Sequence, residues 1–361
     1  MKKQRKEIFF TALLMQWHVE SNKRKMPWKG EKDPYKIWLS EIILQQTRVE
    51  QGMNYYLRFI NRYPTVYLLA AAPDNEVFKL WEGLGYYNRC RNLLAAARHI
   101  VDNLEGKFPE TYDGLLSLKG VGAYTASAIA AFAYDLPYAV VDGNVNRVLA
   151  RFFAIDIPID STLGKPYFSE LANELLDKEK PASYNQAIMD FGATVCKPQL
   201  PLCEHCVLQD HCKAYRNGMV NELPVKLKKI KKIHRWFYYI LAEHKNGFLV
   251  KKRMDKDIWQ SLHEFVLIEA NNHLEPADIF ASAEFKAVSG KKYKIVHTSA
   301  AYKQQLTHQT IHAIYIHIKV SQEAVLPGMK FIRREEMSKL AFPRLINTFL
   351  EQYFAHEIAL K

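Results

Sequence analysis

Four of the chain's five cysteines fall within 17 residues, as Cys196, Cys203, Cys206 and Cys212 in the spacing C-x6-C-x2-C-x5-C. Soft thiolates gathered this closely take zinc or an iron–sulfur cluster, and a reducing interior disfavours disulfides. Structural zinc sites more often carry two CxxC pairs, and only one is present here. Spacing alone therefore implies a metal site and leaves both metals open. The fifth cysteine, Cys90, reads as a small core residue. Two carboxylates stand in contrasting settings. Glu41 sits among Trp38, Ile42, Ile43 and Leu44, an apolar environment that raises a carboxyl pKa and keeps a proton available. Asp142, within VDGNV, stands at the polar, glycine-containing start of a helix and should stay ionised. One proton-holding and one charge-holding carboxyl can divide acid catalysis from electrostatic stabilisation. The plainer alternatives are a part-exposed helix carboxylate at 41 and a helix cap at 142.

The elements that must position these groups are mostly helical up to about Tyr215. Leu93, Leu94, Ala97 and Ile100 follow the helical period, as do Ala126, Ile129, Ala130 and Ala133. The stretch 115–133 reads as a helix, a tight turn at Lys119-Gly120-Val121-Gly122, and a second helix rich in small residues. Amides at such a turn, leading into a helix N-terminus, form an anion site that suits a DNA phosphate. A plain helix–helix connection is the alternative. After the basic run KLKKIKKIHR (226–235), the segments 233–243, 247–253 and 308–320 are rich in β-branched and aromatic residues and predict strands. A last helix is expected from about Arg344 to Ala359.

The chain has 361 residues, enough for two domains, with 48% hydrophobic and 24% charged residues. That composition excludes a disordered, collagen-like or disulfide-framework chain. No uncharged apolar run approaches the roughly 18 residues of a membrane span. Residues 1–17 imitate a signal peptide, but no small-x-small cleavage site follows, so they read as the first helix of a cytoplasmic protein. The net charge is +12, with 27 basic against 24 acidic residues up to position 220 and 23 against 14 after it. Basic excess concentrated in 226–235 and 251–256 points to nucleic acid rather than membrane, the alternative being a solvated linker.

The blocks WLSEIILQQTRV (38–49), GLGYYNRCRNL (83–93), LKGVGAYTA (118–126), VDGNVNRVLAR (141–151) and the cysteine run occur in that order. Together they resemble the helix-hairpin-helix, iron–sulfur family of DNA glycosylases, and more narrowly its MutY-type adenine glycosylases, over about residues 25–216. The resemblance implies one [4Fe–4S] cluster on Cys196, Cys203, Cys206 and Cys212. It implies double-stranded DNA carrying A:8-oxoguanine or A:G mispairs as partner, bound by a monomer. Glu41 would protonate adenine at N7 and Asp142 would stabilise the sugar cation, with Asn144 and Tyr124 assisting. Trp28, Leu44 and Gln186 would line the adenine pocket, and Gln46 and Tyr86 would insert beside 8-oxoguanine. Gly120, Val121 and Gly122 would grip the DNA backbone. Tyr124 occupies the place where the endonuclease III-like relatives carry a Schiff-base lysine. A phenol cannot form an imine, so a monofunctional enzyme is expected. Lys119 and Lys165 are too ordinary to replace it. Lys29 stands where an arginine is usual, which leaves base contacts from that side in doubt.

Residues 235–361 resemble the MutT-like, Nudix-fold domain of such proteins through LVKKR (249–253), WQSLHEF (259–265) and AFPRL (341–345). The fold class is thus an all-α helix-hairpin-helix domain at 1–216 with a cluster loop at 196–212, a basic linker at 217–234, and an α+β Nudix-like domain at 235–361. The RExxEE hydrolase box is missing between Gly247 and Ala300, so no nucleotide hydrolysis is expected. Lesion sensing falls to Leu306, Thr307 and His308, where the family usually reads Phe-Ser-His. Thr307 keeps the hydroxyl, His308 keeps a donor, and Leu306 loses the aromatic wedge. His312 and His317 read as strand surface residues. An endonuclease III-like glycosylase/lyase is the second reading, disfavoured by Tyr124. A non-enzymatic DNA-binding module is the third, disfavoured by the paired carboxylates.

Overall fold

The computed structural model describes residues 2–227, 232–245 and 247–359, so the centre of the basic linker at 228–231 lies outside the described residues. The chain forms two compact units, one of Met1–Ala71 with Asn92–Lys228 and the other of Ala72–Arg91 with Lys229–Lys361. The first unit is helical, and a mixed sheet organises the second. One segment crosses the boundary read from sequence: residues 72–91 belong structurally with the strand-rich unit. Side-chain hooks described below account for that placement.

The helices are α1 (Lys2–Glu20), α2 (Pro34–Leu44), α3 (Val49–Arg62), α4 (Val66–Ala71), α5 (Asp74–Trp81), α6 (Asn88–Leu104), α7 (Tyr112–Leu116), α8 (Ala123–Tyr134), α9 (Gly143–Phe153), α10 (Gly164–Leu175), α11 (Pro181–Thr194) and α12 (Lys213–Arg216). Local chemistry fixes several starts. Asp33 caps α2 by accepting the Tyr35 amide at 2.9 Å, with Pro34 preset for the first turn. Thr111 caps α7, and Asp142 caps α9. Helix α8 begins at Gly122 with no side-chain cap, which leaves its first amides facing outward at an exposed turn.

Apolar faces then choose partners. Trp38, Leu39, Ile42 and Ile43 of α2 are sealed from solvent, as are Ala126, Ala128, Ile129 and Ala130 of α8. Alanine on α8 permits the close approach of α2, which is how Glu41 and Tyr124 are brought together. A second core joins Phe10 and Leu14 of α1, Val148, Leu149 and Phe152 of α9, Phe168 of α10, and Tyr184, Ile188 and Phe191 of α11. Each fully buried side chain of this size adds roughly 1.5–3 kcal/mol by leaving water.

The second unit holds β1 (Ile233–His244), β2 (Gly247–Lys252), β3 (His263–Glu264), β4 (Val266–Ala270), β5 (Tyr293–Thr298), β6 (Tyr302–Gln305), β7 (Gln309–Val320) and β8 (Met329–Arg333). Strands β1 and β7 pair in parallel from Ile233↔Gln309 to Glu243↔Lys319, and the other pairings are antiparallel. Helices α13 (Pro276–Ala281) and α14 (Ala283–Ser289) cover one face, and α15 (Arg334–Met337) and α16 (Arg344–Ala359) follow β8. The expected strands and last helix are present; α13 and α14 had no clear sequence signal. His317 corrects the surface reading: it is 2% exposed and bonds Glu243 at 2.9 Å and the Tyr353 hydroxyl at 2.7 Å. Its strand is covered on both faces, so alternation cannot send it outward. His312, by contrast, is half-buried, stacked on Trp236 at 4.5 Å. No described helix is long and apolar enough to cross a membrane.

Gly192 sets the spacing between α9 and α11. A Cβ there would meet the Asn144 Cβ at 2.7 Å and the Asn144 carbonyl oxygen at 3.0 Å. Gly192→Ala should therefore destabilise the protein by about 1–3 kcal/mol of overpacking, less roughly 1 kcal/mol of helix propensity gained. Urea denaturation measures the difference, and a more stable variant would show that the two helices separate freely.

Candidate active site

Asp142 is positioned by its own helix. Its Oδ1 accepts the Asn144 and Val145 amides, both at 2.8 Å, and its Oδ2 accepts the Asn144 side-chain amide at 2.6 Å. The cap read as an alternative is thus present in the site itself. Arg147, one turn on, donates to Asn144 Oδ1 at 2.8 Å, to the Gly192 carbonyl at 2.6 Å and to the Cys196 carbonyl at 2.7 Å. Arg151 donates to the carbonyls of Lys197 and Leu223 at 2.7 and 3.0 Å. One helix face therefore ties Asp142 to the cysteine loop.

Glu41 is 6% exposed, which excludes the part-exposed reading. Burial pushes its carboxyl up to about 7; the Tyr124 hydroxyl opposes this by hydrogen bonding, and the Asp142 charge adds to it. Burial raises Asp142 as well, against the two capping amides, the Asn144 side chain and the Arg147 charge. The expectation of an ordinary ionised aspartate thus needs amendment: a desolvation that the sequence did not reveal outweighs its donors and leaves the pKa raised. Tyr124 is raised well above its usual value by burial and by both carboxyls, so it stays a neutral donor.

These three groups border a cavity of about 400 Å³ that is also lined by Trp28, Leu44, Asn144 and Gln186. Every residue expected for catalysis or the base pocket meets in this one space. Trp28 also packs edge-on against Tyr56 at 5.2 Å, so it serves wall and core together. Sequence reasoning missed the support of one wall. Asp190, whose side chain has no exposed surface, pairs with Arg24 at 2.8 Å and Lys29 at 3.1 Å and accepts from Asn22 at 2.9 Å. A lone carboxylate in the apolar run Ile188-Met189-Asp190-Phe191 was the available signal. Lys29 is thereby committed to an ion pair, and Lys32, also lining the cavity, pairs with Asp135 at 2.6 Å.

The remaining expected residues lie elsewhere. Gly120 takes φ +83, and a Cβ there would strike Asn92 at 2.6 Å, so glycine is required by both conformation and space. Gly120 and Gly122 are exposed while Val121 is 7% exposed and anchors the turn. Gln46 is exposed with φ 55, in the same unit as the cavity. Tyr86, with φ 49, belongs to the second unit, as do Leu306, Thr307 and His308. The last three form the β6–β7 turn, closed by the Leu306 amide donating to Gln309 at 2.8 Å. Thr307 and Tyr86 hydroxyls lie 2.6 Å apart.

Cys196, Cys203, Cys206 and Cys212 are free thiols that line one void of about 30 Å³ with Arg151 and Tyr215. Among the described residues no three His, Cys, Asp or Glu side chains form a single-ion site. Burial raises the Cys203, Cys206 and Cys212 thiols, Cys206 to about 12, so these sulfurs favour ionisation only beside a cation. The donor set fits a metal centre. Cys90 is fully buried in the second unit, as a core residue should be.

A carboxyl with a folded pKa of about 7 and an unfolded value of 4.5 stabilises the fold fully only below 4.5 and loses that contribution as pH rises through 7. Glu41→Gln carries no such titration. Its stability relative to the parent should rise by roughly 2–3 kcal/mol between pH 5 and pH 8.5, read from denaturant midpoints. A difference independent of pH would show that Glu41 titrates normally.

Residues 39–162 match the HhH-GPD superfamily of base excision DNA repair proteins, and residues 237–352 match a NUDIX domain. The adenine DNA glycosylase of Buchnera aphidicola subsp. Baizongia pistaciae is 31% identical over 325 residues, covering 88% of each chain. That of Mus musculus is 43% identical over 227 residues, 60% of this chain and 44% of the mouse protein. Among solved structures, a thermostable thymine-DNA glycosylase superposes with TM-score 0.56 at 28% identity, over 60% of this chain and 100% of that one. An endonuclease III bound to DNA shares the fold, with TM-score 0.52 at 22% identity over 61% of this chain and 98% of that one. With the Buchnera match running through both domains, the chain belongs to the adenine DNA glycosylase family.

Proposed function

We propose that the protein is a monofunctional adenine DNA glycosylase, hydrolysing the N-glycosidic bond of adenine mispaired with 8-oxoguanine or guanine in base excision repair. The observation that carries this reading is the Glu41–Tyr124–Asp142 group beside the 400 Å³ cavity. Adenine leaves the stack at a cost of a few kcal/mol, less at a mispair, and enters between Trp28, Leu44 and Gln186. Glu41, near half-protonated at neutral pH, gives its proton to N7 and makes adenine a leaving group. Asp142, held by Asn144, offsets the charge that develops on the sugar, as the second carboxylate does in glycoside hydrolysis. Lyase chemistry needs a free amine at the sugar. Position 124 offers a phenol, and Lys29 is held by the buried Asp190.

Cys196, Cys203, Cys206 and Cys212 would hold a [4Fe–4S] cluster, which would close the 196–212 loop and support DNA binding. The Gly120–Gly122 turn would take a DNA phosphate on its exposed amides, and Gln46 would enter the space that adenine vacates. Tyr86, Leu306, Thr307 and His308 would meet the purine left opposite. The reading includes a monomer working in the cytoplasm on double-stranded DNA.

Single-turnover incubation with A:8-oxoguanine, A:G, A:T and thymine glycol:A duplexes, with and without hot alkali, tests this directly. Alkali-dependent cleavage confined to the mispaired adenine strand is expected; nicking without alkali at thymine glycol would establish a lyase instead. Rates should fall as pH rises through about 7, since the acid form of Glu41 is the reactive one. A profile flat to pH 9 would remove Glu41 from the acid role. Cys203→Ser should give colourless protein depleted of iron; a brown variant with full iron content would mean that Cys203 is not a ligand.

A further inference from the structure

Residues 72–91 lie within the span matched to the glycosylase superfamily, yet they are built into the second unit. Three polar hooks hold them there. Lys79 Nζ donates to the Leu340 carbonyl at 3.0 Å, and the Phe342 amide donates to Glu82 Oε1 at 2.8 Å. Lys79 and Glu82 also pair with each other at 2.7 Å, so the two hooks brace one another across a helical turn. Arg91 Nη1 donates to the Gln260 carbonyl at 2.7 Å. The Lys252 ammonium lies over the Phe78 ring at 5.9 Å. Gln260 and Phe342 fall in WQSLHEF and AFPRL, and Leu340 immediately precedes the latter; the base-release chemistry uses neither segment.

Between the hooks runs the loop that carries Tyr86. It is internally stiff: Trp81 Nε1 and Arg89 Nη2 both donate to the Gly85 carbonyl, and the Gly83 amide donates to the Tyr87 hydroxyl. Tyr86 itself is 47% exposed in left-handed backbone, a conformation that a tyrosine keeps only where its surroundings impose it. Its hydroxyl meets Thr307 at 2.6 Å. A rigid loop fixed at both ends to the strand-rich unit thus delivers Tyr86 to the β6–β7 turn.

We propose that Lys79, Glu82 and Arg91 are positioning residues that hold Tyr86 in register with Thr307, and that discrimination of 8-oxoguanine from guanine depends on this lock while base release does not. The proposal rests on the reading that Tyr86 and the 306–308 turn meet the purine opposite adenine. The two purines differ at the N7 and C8 edge, where a displacement of under 1 Å decides whether a hydrogen bond forms. Register between a flat ring and a hydroxyl is therefore the quantity that selects between them.

The test measures single-turnover rates on A:8-oxoguanine and A:G duplexes with the full-length, iron-loaded protein. Glu82→Leu, and Lys79→Met combined with Arg91→Met, should lower the ratio of the two rates by roughly fivefold or more, with the A:G rate kept within about twofold. Lys79→Arg should keep the parental ratio, and amides 82–87 should exchange hydrogen faster in the two disabled variants. An unchanged ratio in a variant whose loop exchanges faster would overturn the proposal. So would an equal loss on both duplexes, which marks a general packing role. Tyr86→Ala and Thr307→Ala separate the underlying reading: if neither alters the ratio, the lesion is sensed elsewhere and the lock falls with it.

Discussion

The structure depends on keeping one carboxyl, that of Glu41, out of water beside a second. An ion taken from water into a protein interior costs several kcal/mol even after relaxation, so such a group survives only inside a scaffold that resists collapse and hydration. Helix α2 supplies it by presenting Trp38, Ile42 and Ile43 around Glu41, all buried, from a start fixed by Asp33 and Pro34. The alanines of α8 let that helix approach closely enough for Tyr124 to reach the carboxyl. The desolvation that weakens the fold at high pH is the same one that pushes the Glu41 carboxyl up to about 7.

Asp142 shows the complementary solution. Both of its oxygens are engaged by donors of its own first helical turn, so a cap and an electrostatic site are one set of bonds. Desolvation still raises its pKa, opposed first by the Val145 amide, then by the Asn144 side chain and amide, and last by the charge of Arg147, which also donates to the Gly192 and Cys196 carbonyls. The charge at Asp142 is thereby linked to the packing of α9 on α11, and Gly192 sets how closely the two can lie.

Much of this was legible from local pattern. A lone glutamate in an apolar helix and four cysteines within 17 residues each stand out against the local pattern, and two glycines signal the turn before α8. Enrichment in β-branched and aromatic residues also placed β1 and β7 with nearly the observed ends, and the last helix lies where it was expected. Contacts with distant chain were not legible. Period tells which face of a helix is buried but not against what, and nothing in the sequence of α5 pointed to its attachment to residues 340–342. His317 was misread for the same reason: alternation assumes a sheet wet on one side, and α16 covers the face that His317 occupies through Tyr353. Asp190 stood in an apolar run much as Glu41 does, but its partners Arg24 and Lys29 lie more than 160 residues away.

Two of the departures from the family's usual residues, at positions 29 and 306, differ in physical weight. At position 29 the ammonium serves a buried carboxylate and the Arg24 carbonyl. A lysine meets that demand as a point charge, and what it gives up is the planar fork with which an arginine could also reach a base. At position 306 the main chain does the structural work: the amide closes the turn onto Gln309, and this bond is indifferent to the side chain. Leucine can therefore replace an aromatic residue without moving Thr307, whose hydroxyl stays 2.6 Å from Tyr86. The Tyr86–Thr307 contact is thus independent of the side chain at 306, where leucine offers no flat ring.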